Sequence, residues 1–206
     1  VYPKPRAMGM ALQSYPVERL EEVLRWAHAI GPQVPASVEL QLVVSPPTRG
    51  AKGAGIVVFA PVFADSFGKA ARALQFMNQS PLRRKSAVHI PFLPTPLSLL
   101  YRAVMHHYPE HHRYAVDNMW TQVPIDALLP GLHKIAATLP LAPSHMLWLN
   151  WAQPQQRPSM AFSLEDQIYI ALYGAWKQEW DNLRYAAWAQ SRIHELSHLS
   201  SGCQLA

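Results

Sequence analysis

The stretch from Met8 to Ala27, MGMALQSYPVERLEEVLRWA, changes its periodicity once, at Pro16, and that change sets the fold class. Before the proline, Met8 to Tyr15 is apolar and mildly alternating, the pattern of a strand with one buried face. After it, Val17, Leu20, Leu24 and Ala27 recur at helical spacing. Pro16 stands where a first helical turn tolerates a missing N–H, and Glu18, Glu21 and Glu22 lie near the positive helix start. Gly31-Pro32 then stops the helix.

The same alternation of strand and helix continues outward. Val38 to Val44 alternates as a second strand ended by Ser45-Pro-Pro, and the run Gly55 to Ala64 reads as a third. Between them, Arg49, Gly50, Lys52 and Gly53 lead into a strand rather than a helix, so this loop reads as a mobile hairpin tip and not as a phosphate cradle. Asp65 is positioned to cap a helix whose face is Phe67, Ala70, Ala71 and Leu74, and Ser86 to Phe92 forms a fourth strand. Thr95-Pro96 opens a helix through Leu99, Leu100, Ala103 and Val104; a His-rich loop and a strand from His112 to Trp120 follow. Ile125 to Leu139 is helical, with Pro130-Gly131 predicting a kink or a late start. Ser144–Trp151 and Gln167–Trp176 are strands joined by a polar loop, Gln153 to Asp166, and Asp181 starts a closing helix that runs to about Leu199.

The order is β-α-β-β-α-β, a linking helix, then β-α-β-β-α. That predicts an α+β fold: one broad antiparallel sheet with helices on one face, built from two ferredoxin-like (split βαβ) halves in a single domain over residues 1–206. With 50% hydrophobic and 15% charged residues, the chain excludes a disordered class. No apolar run approaches the roughly 18–20 residues that span a bilayer. The net charge of +5 is scattered, Arg83-Arg84-Lys85 being the tightest run, so no clustered basic face points to nucleic acid. Cys203 is the single cysteine, which rules out an internal disulfide and a thiolate metal site. Opening on Val1 rather than Met, the chain is expected to be a piece of something longer, with a cytoplasmic location favoured.

Strand parity separates two faces. Ile168, Ile170 and Leu172 oppose Tyr169 and Tyr173; Leu147, Leu149 and Trp151 oppose Met146, Trp148 and Asn150; Asn118 and Trp120 oppose Asp117. Assigning the aliphatic sets to the helices leaves an aromatic, amide-punctuated face of Asn118, Trp120, Trp148, Asn150, Tyr169 and Tyr173. Such a surface suits a small-molecule pocket, a protein interface or a second core layer.

Two further motifs compete. His194-Glu-Leu-Ser-His198 fits H-E-x-x-H, in which two imidazoles on one helical face hold zinc and the Glu activates water. The downstream third ligand is missing, and the segment reads equally as the end of a surface helix. His106-His-Tyr-Pro-Glu-His-His112 gathers four imidazoles and Glu110, but Pro109 and the short spacing favour a solvated turn, so no metal is assigned.

Several stretches together resemble one family. Val1-Tyr-Pro-Lys-Pro-Arg6, Tyr15-Pro-Val-Glu-Arg-Leu-Glu-Glu-Val-Leu-Arg25, Arg113-Tyr-Ala-Val-Asp-Asn-Met-Trp120, the run from Phe162 to Trp176 and Ala187-Trp-Ala-Gln190 keep the order found in bacterial FAD-linked oxidases of the berberine-bridge-enzyme-like group, in the vanillyl-alcohol oxidase superfamily. The resemblance implies a substrate-binding (cap) domain whose sheet roofs the isoalloxazine of FAD, with FAD held mainly by a domain upstream in the same polypeptide. It implies oxidation of an alcohol, sugar or amine-type carbon by hydride transfer to flavin. It also implies a small-molecule substrate contacted by Asn118, Trp120, Trp148, Asn150, Tyr169 and Tyr173. Tyr169 or Tyr173 would act as a base only if a neighbour lowered its pKa. Asp117 stands where members often carry Lys, and Gln204 near the Tyr of a Tyr-x-Asn element, so no catalytic residue is carried over. A non-catalytic ferredoxin-like module that binds a small ligand fits the element order as well.

Overall fold

The computed structural model describes residues 5–47, 55–150 and 166–203. The chain runs β1 (Ala7–Pro16), α1 (Leu20–Ile30), β2 (Leu40–Ser45), β3 (Gly55–Ala64), α2 (Phe67–Ala73), α3 (Gln75–Asn78) and β4 (Val88–Pro94). It continues through α4 (Leu97–Met105), β5 (Arg113–Thr121), α5 (Ile125–Ala137), β6 (His145–Asn150), β7 (Ile168–Trp176) and α6 (Asn182–Glu195). The strands form one seven-stranded sheet in the order β4-β1-β3-β2-β6-β7-β5, every pair antiparallel, so the fold is α+β as the element order implies. The first four strands lie in the order 4-1-3-2. The last three repeat that order with one strand fewer, and after α6 the chain returns to pair Gly202 with Trp120 on the free edge of β5. The tip at residues 48–54 and the loop from Gln153 to Glu165 lie outside the described residues.

One core joins the sheet to α1, α2, α3, α5 and α6. Leu20, Val23, Leu24 and Ala27 of α1 meet Leu40, Leu42 and Val44 of β2. Leu128, Leu132 and Ile135 of α5 and Trp188 and Ile193 of α6 complete the layer over β5–β7. Alternate residues of the five interior strands enter it, which is why a period of two in the strands and of 3.6 in the helices was readable.

Four expectations need correction. Ser66, not Asp65, caps α2, accepting the Lys69 N–H on its hydroxyl; Asp65 instead pairs with the Lys69 ammonium at 2.7 Å. The helix at α5 begins at Ile125 and runs through Pro130 without a late start. Helices do not all share one face: no residue of α4 belongs to the core cluster, and α4 lies across the other side of the sheet.

The fourth concerns Trp148 and Asn150, which point into the helix layer. Trp148 pairs with Leu42 and Ile170, is fully buried, and donates its indole N–H to Asn150 at 2.8 Å. Asn150 lies against Gly31 just past α1, where a Cβ would come within 2.1 Å of the amide nitrogen. Both faces of β6 carry apolar side chains, Met146 and Trp148 toward the helices and Leu147 and Leu149 on the other side, so an aliphatic set was no guide to which face met the helices. Trp148→Ala is therefore expected to destabilise the fold by about 3–5 kcal/mol, measured by urea unfolding; a change within half a kilocalorie would contradict its place in the core.

Candidate functional site

Directly paired residues of antiparallel strands share a face, so the register writes out the surface opposite the core. One row runs Leu12, Phe59, Gln41, Leu149, Tyr169, Trp120; the next runs Ser14, Val57, Val43, Leu147, Ala171, Asn118; a third contains His145, Tyr173 and Val116. The surface is aliphatic toward β1–β3 and aromatic toward β5–β7. Of the six residues expected here, the structure brings Asn118, Trp120, Tyr169 and Tyr173 together on this face and leaves Trp148 and Asn150 on the other. Trp120 and Tyr169 are cross-strand partners with ring centroids 4.9 Å apart.

α4 and the turn after it lie over the aliphatic part of this face and border a half-open cavity of about 230 Å³. Leu12, Val43, Phe59 and Leu147 floor it, and Ala103 and Val104 roof it. Gln41, His107, Tyr108 and His145 supply its polar side chains. The His-rich loop is thus not a purely solvated turn. His107 and Tyr108 turn inward, to ring-centroid distances of 5.3 Å from His145 in each case, while His106 and His111 remain exposed.

His145 is the centre of this cluster. It stacks on Tyr173 at 4.6 Å and 13°, and Tyr108 meets both rings edge-on, 5.2 Å from Tyr173. Its Nδ1 lies 3.0 Å from the Pro143 carbonyl, an acceptor only, so Nδ1 carries the proton and Nε2 presents a lone pair. Tyr108 Oη stands 3.4 Å from that Nε2, too long for a well-formed bond. Burial holds His145 down to about 4, helped by nearby His107 and opposed by the Pro143 carbonyl. Burial, then His106, lowers His107 as well. Tyr108 is pushed far above the usual phenol range by burial and by Tyr173. At neutral pH the cluster is uncharged, offering an imidazole acceptor beside a phenol donor. Tyr169, raised to about 12 by burial and then by Tyr173, is not poised to be a base.

Sequence reasoning missed His145 and read His107 and Tyr108 only as part of a solvated turn. His145 shares parity with Leu147 and Leu149, the set assigned to the helices, and the loop's inward turn depends on contacts remote in sequence. The H-E-x-x-H motif is not carried on one continuous α-helix. α6 ends at Glu195, His198 sits in a separate helical turn, and Glu195 is engaged by Lys134 and Arg192 at 3.0 Å each. Among the described residues no group of three or more His, Cys, Asp or Glu is placed to hold a metal ion, and no helix is long and apolar enough to cross a membrane.

The class that the fold defines is an α+β domain, a helix-backed antiparallel sheet whose other, partly aromatic face is crossed by α4. No protein-family model and no curated protein matches the sequence. Solved structures do match the fold. Berberine bridge enzyme, in a variant complexed with (S)-reticuline, superposes with a TM-score of 0.70 at 11% identity, covering 97% of this chain and 42% of that one. GilR, an oxidoreductase that catalyses the terminal step of gilvocarcin biosynthesis, gives 0.69 at 14% identity, covering 94% and 43%. Phl p 4, a grass pollen allergen with glucose dehydrogenase activity, gives 0.66 at 12%, covering 97% and 42%. The fold of this chain is the one found in these berberine-bridge-enzyme-like oxidoreductases, as the resemblance implied, and the chain spans about two fifths of their length.

The burial of His145 makes the site acid-sensitive. The unfolded imidazole takes a proton near 6.5 and the native one only near 4, so its contribution is undiminished above 6.5 and is lost as pH falls toward 4. Between pH 7 and pH 5 this group should remove about 2 kcal/mol of unfolding free energy. His145→Gln should abolish that part; equal acid sensitivity of the two proteins in urea titrations would contradict the buried, neutral imidazole.

Proposed function

We propose that this chain is the substrate-binding domain of an FAD-dependent oxidoreductase that oxidises an alcohol, sugar or amine-type carbon by hydride transfer to the flavin. The observation that carries the reading is the aromatic, uncharged face of Trp120, Tyr169, Tyr173 and His145, on a fold shared with oxidoreductases over nearly the whole chain.

The residues fit a flat heteroaromatic ring and not a dinucleotide. The face offers ring surfaces and the Asn118 amide. No helix among the described residues opens from a glycine-rich turn that would cradle a pyrophosphate. FAD is accordingly assigned mainly to another domain of the same polypeptide, and when bound it supplies a two-electron acceptor for the hydride. This chain's residues would enclose and orient the substrate: Trp120 and Tyr169 as ring walls, Asn118 as a hydrogen-bonding group, and His145 with Tyr108 as the pair that holds a substrate hydroxyl by hydrogen bonds. The cavity formed within this chain alone favours one second reading, a ligand-binding module without flavin.

The protein made from the complete reading frame should show a flavin absorption spectrum that bleaches anaerobically with its substrate; a colourless protein, with flavin supplied in excess, would leave the ligand-binding module. In that complete protein, Trp120→Ala should lower kcat/KM at least about tenfold, a loss of roughly 1.4 kcal/mol, with flavin content per protein unchanged. Lost flavin with unchanged turnover per bound flavin would move Trp120 out of the substrate site.

A further inference from the structure

The tightest basic run of the chain, Arg83-Arg84-Lys85, lies remote from the aromatic face, in a turn beside a buried imidazole. We infer that the cleft between α3 and β4, walled by Ser80, Arg83, Arg84, Ser86 and His89, is a separate ligand site that takes the phosphoryl group of a small phosphate or phosphate monoester.

Register gives the site its place. His89, on the edge strand β4, is the direct partner of Gln13, which is fully buried, so both lie on the helix side of the sheet, away from Tyr169 and Tyr173. A chain of hydrogen bonds then fixes the imidazole. Gln13 Oε1 accepts the Tyr15 hydroxyl at 2.7 Å, and Gln13 Nε2 donates to the Met77 carbonyl at 2.8 Å. The second hydrogen of that nitrogen meets His89 Nδ1 at 3.1 Å. An amide nitrogen only donates, so Nδ1 is the acceptor and the neutral ring carries its proton on Nε2. That N–H is buried and has no acceptor among the described residues. A donor left so opposes folding, and the oxygen of an entering anion satisfies it.

Charge is the second argument. The Ser80 carbonyl accepts the Arg83 N–H at 3.1 Å and the Ser86 hydroxyl donates to the Arg83 carbonyl at 2.6 Å, which closes the turn. Among the described residues neither Arg83 nor Arg84 is paired with a carboxylate, whereas Lys85 is held by Glu22, and no Asp or Glu lines the cleft. Burial, then the charge of Arg83, lowers the His89 pKa, so guanidinium and imidazole act on the same space. Asn78 Oδ1, another buried wall atom without a partner among the described residues, is replaced by an N–H donor when the amide is turned end for end. Two guanidiniums from a turn and a fixed N–H from a strand suit a tetrahedral dianion. A planar carboxylate needs only one bidentate guanidinium.

The test is calorimetric titration of the 206-residue chain with inorganic phosphate, phenyl phosphate and acetate at constant ionic strength, beside Arg83→Gln and Arg84→Gln. Both phosphates should bind about tenfold more tightly than acetate, and each variant should weaken them by about tenfold. The tighter of the two phosphates distinguishes an ester from the free ion as the natural ligand. Nitrogen NMR of the unaltered chain should find the His89 proton on Nε2, with a signal that moves on adding phosphate and not on adding acetate. Phosphate bound no more tightly than acetate, phosphate binding indifferent to both arginine variants, or a His89 proton on Nδ1 overturns the inference.

Discussion

The antiparallel pairing of β2 with β6, from Leu40 opposite Asn150 to Val44 opposite Met146, is the contact on which the rest of the structure depends. It joins a four-stranded unit to a three-stranded one. Without it each unit would expose a long row of backbone donors and acceptors along an interior edge. With it, one face becomes a continuous core. Leu42, Trp148 and Ile170 stand side by side across the seam, and α1 and α5 cover them. The same pairing makes the other face continuous, since Gln41 then sits beside Leu149 and Val43 beside Leu147. A surface wider than either unit follows directly from one ladder.

The two faces solve different problems. On the helix side, Leu, Ile and Val side chains interdigitate, and the polar groups there are satisfied internally, as when the Trp148 indole bonds Asn150 or the Tyr15 hydroxyl bonds Gln13. On the other side, α4 contributes only part of a roof, and several of its apolar side chains, Leu97, Leu99 and Tyr101 among them, face solvent. Beneath that roof, burial without a countercharge keeps the imidazoles neutral and the phenols protonated. The buried polar groups there are therefore hydrogen-bonding groups that carry no charge.

Legibility of the sequence followed locality. The strand at Ala7–Pro16 and the helix at Leu20–Ile30 were readable because each is marked by spacing within a dozen residues. Trp120, Tyr169 and Tyr173 were correctly set on one face by parity, since β5 and β7 present one aromatic and one aliphatic side. β6 has no such contrast: Leu147 and Leu149 are as apolar as Met146 and Trp148, and only the register with β2 and β7 settles which side meets the helices. The H-E-x-x-H motif failed for the opposite reason. Its spacing is local, but the helix ends at Glu195, between the two histidines.

By itself the sequence determined the element order, the α+β class and the alternation that gives each strand two distinct sides, because these rest on backbone geometry and neighbouring residues. The tertiary structure alone decided which side of β6 faced the helices, that α4 crossed to the opposite face, and that His107 and Tyr108 turned in upon His145. Those outcomes are set by pairings between residues dozens of positions apart, whose burial no local pattern encodes.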